Sequence, residues 1–315
     1  MRFVLQRLVG LVVVVFVVSL FTFLLVDLLP GDTTTTLLGP LAADPELRAE
    51  AQEDLNLDDP IWERYLIWAG NALHGDLGDS FVTGESVSQS IRDRLPTSVL
   101  LMVYAQILAL VIAVPLAIFS AYRANGVFDK VTTTGSFGLL SVPNFILAIV
   151  LIFVFGVKFD IFPTLYDDSS FADRIVTMFL PALTLAAGLS AVYLRLLRTD
   201  MIATLQEDFI TMAKAKGMPT RRILLRHALR PSSFSLLTVA GIQVGALIGG
   251  ALVVEQLFSI SGIGTLVTES IFKRDYLVIQ GCVLVIAIAY VLVNFAVDLL
   301  YTVLDPRVRH ARTAA

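Results

Sequence analysis

Charge is scarce in this chain. Of its 315 residues only 16% are Asp, Glu, Lys or Arg, whereas 56% are hydrophobic and the mean hydropathy is +0.79. That balance is too apolar for a soluble domain of this length, so lipid must solvate much of the surface. Cysteine is nearly absent. Cys282 stands alone inside the last apolar run, which excludes an internal disulfide, a cysteine zinc site and a redox pair, and leaves it as a packing residue. The three histidines, His74, His227 and His310, are far apart and fit no metal-ligand spacing such as His-Glu-x-x-His. A Gly-x-x-x-x-Gly-Lys-Ser/Thr phosphate loop is missing, so the chain binds no ATP by that route. No His/Cys/Asp grouping falls on the apolar runs, which argues against a membrane-embedded enzyme.

What the sequence has instead is length of apolar run. Crossing a hydrocarbon core of about 30 Å takes about 20 residues as a helix. Runs of that kind extend over 8–29, 98–122, 135–157, 175–197, 234–254 and 277–303. Backbone groups find no partner in lipid, so the runs must be helices or barrel strands, and uninterrupted runs of this length suit helices. The expected fold class is therefore an all-α integral membrane protein with six transmembrane helices. An ion-driven carrier should show interrupted helices or inverted repeats with ionisable residues at mid-membrane, and no convincing set is visible.

The two signs of charge are segregated. Basic residues gather at Arg2 and Arg7, at Arg123 and Lys130, between Arg195 and Arg230, and at Arg307, Arg309 and Arg312. Between the first two runs thirteen acidic side chains face only Arg48, Arg64, Arg92 and Arg94. The positive-inside rule then puts both termini and the loops 123–130 and 195–230 in the cytoplasm. The first run follows Arg2 and Arg7 as in a signal peptide, but it is longer than a usual signal core and no small-residue cleavage site follows, so it reads as a retained anchor. The expected organisation is an anchor helix over 1–29, an external cap over 30–96 and a five-helix core over 97–315 with a cytoplasmic loop at 198–230. Within the cap, Asp59-Pro60 predicts a helix start. Trp62, Tyr65 and Trp68 follow at intervals of three, either at headgroup level or packed inside the cap.

The loop 198–230 holds a short helix with readable ends. Glu207 and Asp208 stand at its start and Lys214 and Lys216 near its end, each matching the helix dipole. Gly217 supplies a C-terminal cap and Pro219 prevents continuation. Phe209, Ile210, Met212 and Ala213 form an apolar stripe, with small Ala215 beside it. Such a stripe needs a partner surface, either this chain's own helix ends or a separate cytoplasmic protein. In the fifth run Gly241, Gly245 and Gly249 recur every four residues, the spacing that lets helices approach closely, and Gln243 between them either bonds across that interface or lines a pathway. Glu255 closes the run as a second pathway candidate, or snorkels. Pro181 in the fourth run either kinks it or is tolerated. The basic cluster Arg221, Arg222, Arg226 and Arg230 is better explained by topology and anionic membrane lipids than by nucleic acid.

Gln206-Glu-Asp-Phe-Ile-Thr-Met-Ala-Lys-Ala-Lys-Gly217, followed by Arg226-His-Ala-Leu-Arg230, resembles the cytoplasmic coupling loop of permease subunits from bacterial oligopeptide and dipeptide ABC importers. Further landmarks of that family occur in its order along nearly the whole chain: Pro30-Gly31-Asp32, Leu57-Asp58-Asp59-Pro60, Gly75-Asp76-Leu77-Gly78, Arg94-Leu95-Pro96-Thr97, Val142-Pro143, Val254-Glu255 with Phe258, Gly262-Ile263-Gly264, Arg274-Asp275-Tyr276 and Leu304-Asp305-Pro306-Arg307. Thr211, Met212, Pro231, Ser235 and Ser261 depart from the family pattern. The resemblance implies a type I importer permease in the bacterial cytoplasmic membrane, moving peptides or, alternatively, nickel or another small solute. Its implied partners are a second homologous permease, two ATP-binding cassette ATPases that hold the ATP and magnesium, and an extracellular solute-binding protein or lipoprotein. It further implies that Glu207, Asp208, Phe209, Ile210, Thr211, Ala213, Lys214, Ala215, Lys216, Gly217 and Arg221 couple this chain to an ATPase.

Overall fold

The computed structural model describes residues 2–27, 33–38 and 42–304. Pro30-Gly31-Asp32, His310 and the C-terminal basic residues Arg307, Arg309 and Arg312 lie outside them. Among the described residues fourteen α-helices follow one another: α1 (Arg2–Asp27), α2 (Thr33–Leu38), α3 (Pro45–Asp54), α4 (Ile61–Leu73), α5 (Val87–Tyr122), α6 (Val127–Ser141), α7 (Asn144–Leu151), α8 (Phe171–Thr177), α9 (Phe179–Leu205), α10 (Asp208–Ala215), α11 (Thr220–Arg222), α12 (Leu229–Leu257), α13 (Ile263–Lys273) and α14 (Tyr276–Leu304). Two stretches of wider π-helix, Ile152–Lys158 and Ile223–Ala228, extend α7 and α11. No strand is formed among the described residues.

Helices α5, α9 and α14 are each long and apolar enough to cross a membrane alone. Two bent pairs, Val127–Ser141 with Asn144–Lys158 and Thr220–Gly245 with Leu247–Leu257, raise the number to as many as five. In α1 the described apolar stretch is the shorter Leu8–Leu24.

The third apolar run differs most from expectation. It is not one helix over 135–157 but two, α6 and α7, meeting at 105°. Pro143 is the cause: it has no N–H to continue a helix, and it pushes Val142 into extended backbone (φ −91°, ψ 121°),. The break carries Ser141, Val142, Pro143 and Asn144 and no ionisable residue. Pro181 takes the tolerated alternative. Helix α9 begins at Phe179, so Pro181 sits in its first turn, where the missing N–H costs nothing, and no kink follows. Pro231 is likewise the third residue of its helix, α12, but there helical turns run directly into it, so the position is interior. Its ring would crowd the carbonyl of His227, and the wide turns of Ile223–Ala228 directly before it provide room,.

The chain folds as two compact units. The first gathers the chain before Val99 with Ser261–Phe295. Its core is Val87, Ile91, Ile263, Leu266, Leu277, Val278 and Cys282, and Cys282 is fully buried there as a packing residue. Turn chemistry accounts for several landmarks. Gly75 and Gly78 both take positive φ (86° and 83°), and the Asp76 carboxylate accepts the Gly78 N–H at 3.0 Å between them,. Arg274 ends α13 in a left-handed conformation. Asp275 then accepts the Val278 N–H and the Ser80 hydroxyl, fastening the start of α14 to the 79–86 hairpin. Helix α4 starts one residue later than expected, with Pro60 rather than Asp59 at its N-cap. Tyr65 and Trp68 pack edge-on or tilted against Phe16 and Phe23 of α1, while Trp62 stays 60% exposed.

The second unit, Val99–Ile260 with the chain from Ala296, is built on α9. Of α9's apolar stretch 72% is buried, against 22% for α5 and 33% for α14. Packed with it are α6, α7 and α12. Helix α5 contributes Leu101 and then Ala105, Ala109, Ala113, Ala117 and Ala121, a face repeating every four positions, small from Ala105 on and buried along its length. Small side chains at that spacing give close helix packing without a hydrophobic driving force from water.

Candidate functional site

The connection from α9 to α12 carries the candidate site. Helix α9 ends at Leu205, and the chain turns through Gln206 and Glu207 into α10. Glu207 holds the extended N-cap backbone (φ −68°, ψ 148°), and Asp208 occupies the first turn beside the positive end of the dipole,. The far end is a complete Schellman motif. Gly217 adopts φ +73°. Its N–H bonds to the Lys214 carbonyl at 2.9 Å, and the Met218 N–H to the Ala213 carbonyl at 3.2 Å. Met218 also packs against the small cluster of Ile210, Ala213 and Ile223, the kind of apolar contact that accompanies this cap,.

The four apolar residues of α10 do not share a face. Ile210 (0% exposed) and Ala213 (6% exposed) are buried, forming with Ile223, Leu205 and Met218 a small core internal to the chain. Phe209 and Met212 point away from it, 46% and 59% exposed. Glu207, Asp208, Thr211, Lys214, Ala215, Lys216 and Arg221 are exposed around them. The stripe seen in the sequence is thus two half-stripes, one seating the helix and one presented outward. Periodicity alone could not separate them in eight residues.

The glycines of α12 also divide. A Cβ on Gly241 would lie 2.3 Å from Val297 Cγ2, so α12 and α14 approach closely there. Gly249 has nothing within 4 Å, and the packed position is its neighbour Gly250, against Leu185 and Asn144. Glu255 is 1% exposed, so it does not snorkel. Gln243 is half-buried on the same helix. No group of His, Cys, Asp or Glu among the described residues could hold a metal ion.

A second cluster was not legible beforehand. Asp129, at the start of α6 and ahead of the apolar run at 135–157, is buried. Its Oδ1 accepts from the Ser120 hydroxyl of α5 at 2.5 Å and from Arg198 Nε of α9, and its Oδ2 accepts from the Asn125 N–H at 2.7 Å and Arg198 Nη2 at 2.6 Å. The Arg198 guanidinium holds the Asp129 carboxyl well below the usual carboxylate range, outweighing burial, with Ser120 and Asn125 adding to the effect,. One turn back, Arg195 lies over the Phe137 ring of α6, its Cζ 4.3 Å from the centroid,. A lone Asp among polar loop residues gives no sign in sequence that its partner stands 69 residues away.

Residues 113–310 match the family described as binding-protein-dependent transport system inner membrane component, and residues 1–102 match the N-terminal family of the same membrane components. Among similar proteins is the di/tripeptide transport system permease of Pseudomonas aeruginosa strain UCBPP-PA14, 35% identical over 99% of this chain and 100% of its own length. The oligopeptide transport system permease of Bacillus subtilis strain 168 is 36% identical over 93% and 94% respectively. The glutathione transport system permease of Escherichia coli O6:H1 is 34% identical over 98% and 99%.

Proposed function

The chain belongs to the family of binding-protein-dependent transport system inner membrane components, a multi-pass constituent of the bacterial cytoplasmic membrane, and from that premise we propose that it is the permease subunit of an ATP-driven importer of short peptides. The observation that carries the substrate class is full-length similarity to permeases named for dipeptides, tripeptides, oligopeptides and glutathione. As a membrane subunit of this family the chain is the conduit rather than the ATPase. ATP and magnesium are held by two partner ATPases, a homologous second permease completes the pathway, and a solute-binding protein delivers the peptide from outside. The bilayer is crossed six times, by α1, α5, the broken pair α6–α7 from residue 135 onward, α9 up to residue 197, α12 and α14, which leaves Asp129 and Arg198 on the cytoplasmic side of the spans. The basic loops face the cytoplasm by the positive-inside rule, which puts α10 on the ATPase side.

In this reading α10 docks into an ATPase cleft through Phe209 and Met212, with Glu207, Asp208, Lys214 and Lys216 setting its orientation. Ile210 and Ala213 do a different task from partner contact. They seat α10 on Ile223, Leu205 and Met218, so that a push on the exposed half-stripe reaches α9 and α12 rather than being absorbed by a loose loop. Gln243 and Glu255 of α12 remain the pathway candidates, Glu255 now as a buried carboxylate. Substrate class is tested by uptake into vesicles holding the complete complex, with a peptide-length series and nickel as probes. ATP-dependent uptake of di- to oligopeptides supports the assignment. Uptake of nickel with no peptide accepted overturns it.

A further inference from the structure

We propose that Asp129 and Arg198 are positioning residues that strap α6 to α9, so that the two helices transmit the movement of α10 as one body. This rests on the importer reading above. Helix α9 is continuous from Phe179 to Leu205 and ends three residues before α10 begins, so any displacement of α10 acts first on the segment holding Arg198. There a bidentate pair, the charge-assisted geometry with the strongest directional constraint, joins α9 to the first turn of α6. Ser120 and the Asn125 N–H saturate the remaining acceptor positions of the same carboxylate, tying in the end of α5 and the turn before α6. Arg195 on Phe137 supplies a second tie between the same two helices, one turn along α9 and about two turns along α6,. Beyond Phe137 the rigid run ends at the Pro143 break, where α6 meets α7 at 105°. The strap therefore lies between the lever and the break. A carboxylate needed only to hold a loop would be satisfied by Ser120 and Asn125; the guanidinium from α9 is what makes the cluster an inter-helix tie.

The test uses the whole complex in vesicles, measuring ATP hydrolysis and peptide uptake on the same preparations. In Asp129→Asn, uptake per ATP hydrolysed falls about fivefold or more, the lower range of coupling between distant sites. Arg198→Lys, which keeps the charge and loses the fork, falls less. If Asp129→Asn does not assemble, Arg195→Gln at an exposed position decides, with a smaller fall in the same direction. A merely structural cluster lowers both rates together, and an unchanged ratio overturns the proposal. A second arm is independent of transport: spin labels at Val131→Cys on α6 and Thr199→Cys on α9, in a Cys282→Ala background, report the inter-helix distance with and without nucleotide. The wild-type distance stays constant and narrow, and Asp129→Asn broadens it. A wild-type distance that changes with nucleotide overturns the strap. A complex that hydrolyses ATP and moves no peptide refutes the importer reading, leaving the distance arm to judge the strap.

Discussion

Replacing Gly217 separates two kinds of damage that are easily confused in the connection from α9 to α12. The residue sits at φ +73° with open space where a Cβ would be, so a Cβ there meets no neighbour, and its cost lies in the backbone. For an L-residue that cost is about 1–2 kcal/mol, with Asn cheaper and a β-branched residue dearer. Helix α10 has eight residues, too short to persist without its cap and its seat. About 1.4 kcal/mol withdrawn from the cap therefore opens the last turn about tenfold more often. The amides of Gly217 and Met218, both bonded in the Schellman motif, report this by hydrogen exchange in the detergent-solubilised complex. The expected order of lost protection is Asn, then Ala, then Val, with Gly217→Trp close to Ala because the position is exposed and its Cβ meets nothing. Peptide uptake should follow the same order for Asn, Ala and Val. Trp should fall below Ala in uptake alone, by obstructing the proposed contact with the ATPase. Equal protection in the glycine and valine proteins, or a Trp protein far less protected than the Ala protein, would refute the backbone argument.

The exposed and buried halves of α10 should fail differently. Phe209→Ser and Met212→Ser leave the permease's melting temperature unchanged and weaken retention of the ATPases on an affinity column, whereas Ile210→Ala costs about 2–5 kcal/mol of local packing and loosens α10 in hydrogen exchange. Loss of stability in Phe209→Ser would contradict that division. Gly241→Ala overpacks against Val297 at a cost of about 1–3 kcal/mol and is relieved by Val297→Ala, while Gly249→Ala is neutral; thermal unfolding of the four proteins decides. The carboxyl of Asp129 is held below its usual range, so its stabilising pair is fully present above about pH 4, the unfolded value, and is lost only as pH falls through the lower folded value. The difference in melting temperature between wild type and Asp129→Asn should stay constant from pH 8 to pH 5, and a narrowing across that window would show that the pair titrates there.

The extent to which the sequence announced this structure follows from the range of each interaction. The α10 helix was readable at both ends, because the N-cap, the dipole-matched charges and a left-handed glycine are all local signals within twelve residues. Landmarks such as Gly75-Asp76-Leu77-Gly78 and Arg274-Asp275-Tyr276 were visible as motifs, and their reasons, positive φ and a side-chain cap, became visible only with the backbone. Hydropathy located the apolar runs but could not see that Pro143 divides the third one, since Val142 and Pro143 keep the run apolar while ending the helix. The Asp129 to Arg198 pair, the two faces of α10 and the difference between Gly241 and Gly249 all depend on which helix lies opposite. That is tertiary information, carried by residues far apart in the chain.

The central claim is that this chain moves its solute on the energy of separate ATPases. Vesicles containing the assembled complex, with ATP on the cytoplasmic side, binding protein on the other and every ion gradient collapsed, measure it directly through the uptake of a labelled dipeptide. The account predicts uptake that requires ATP and stops when the ATPase subunits are omitted. Uptake by the permeases alone, driven by an imposed ion gradient and indifferent to ATP, would contradict it.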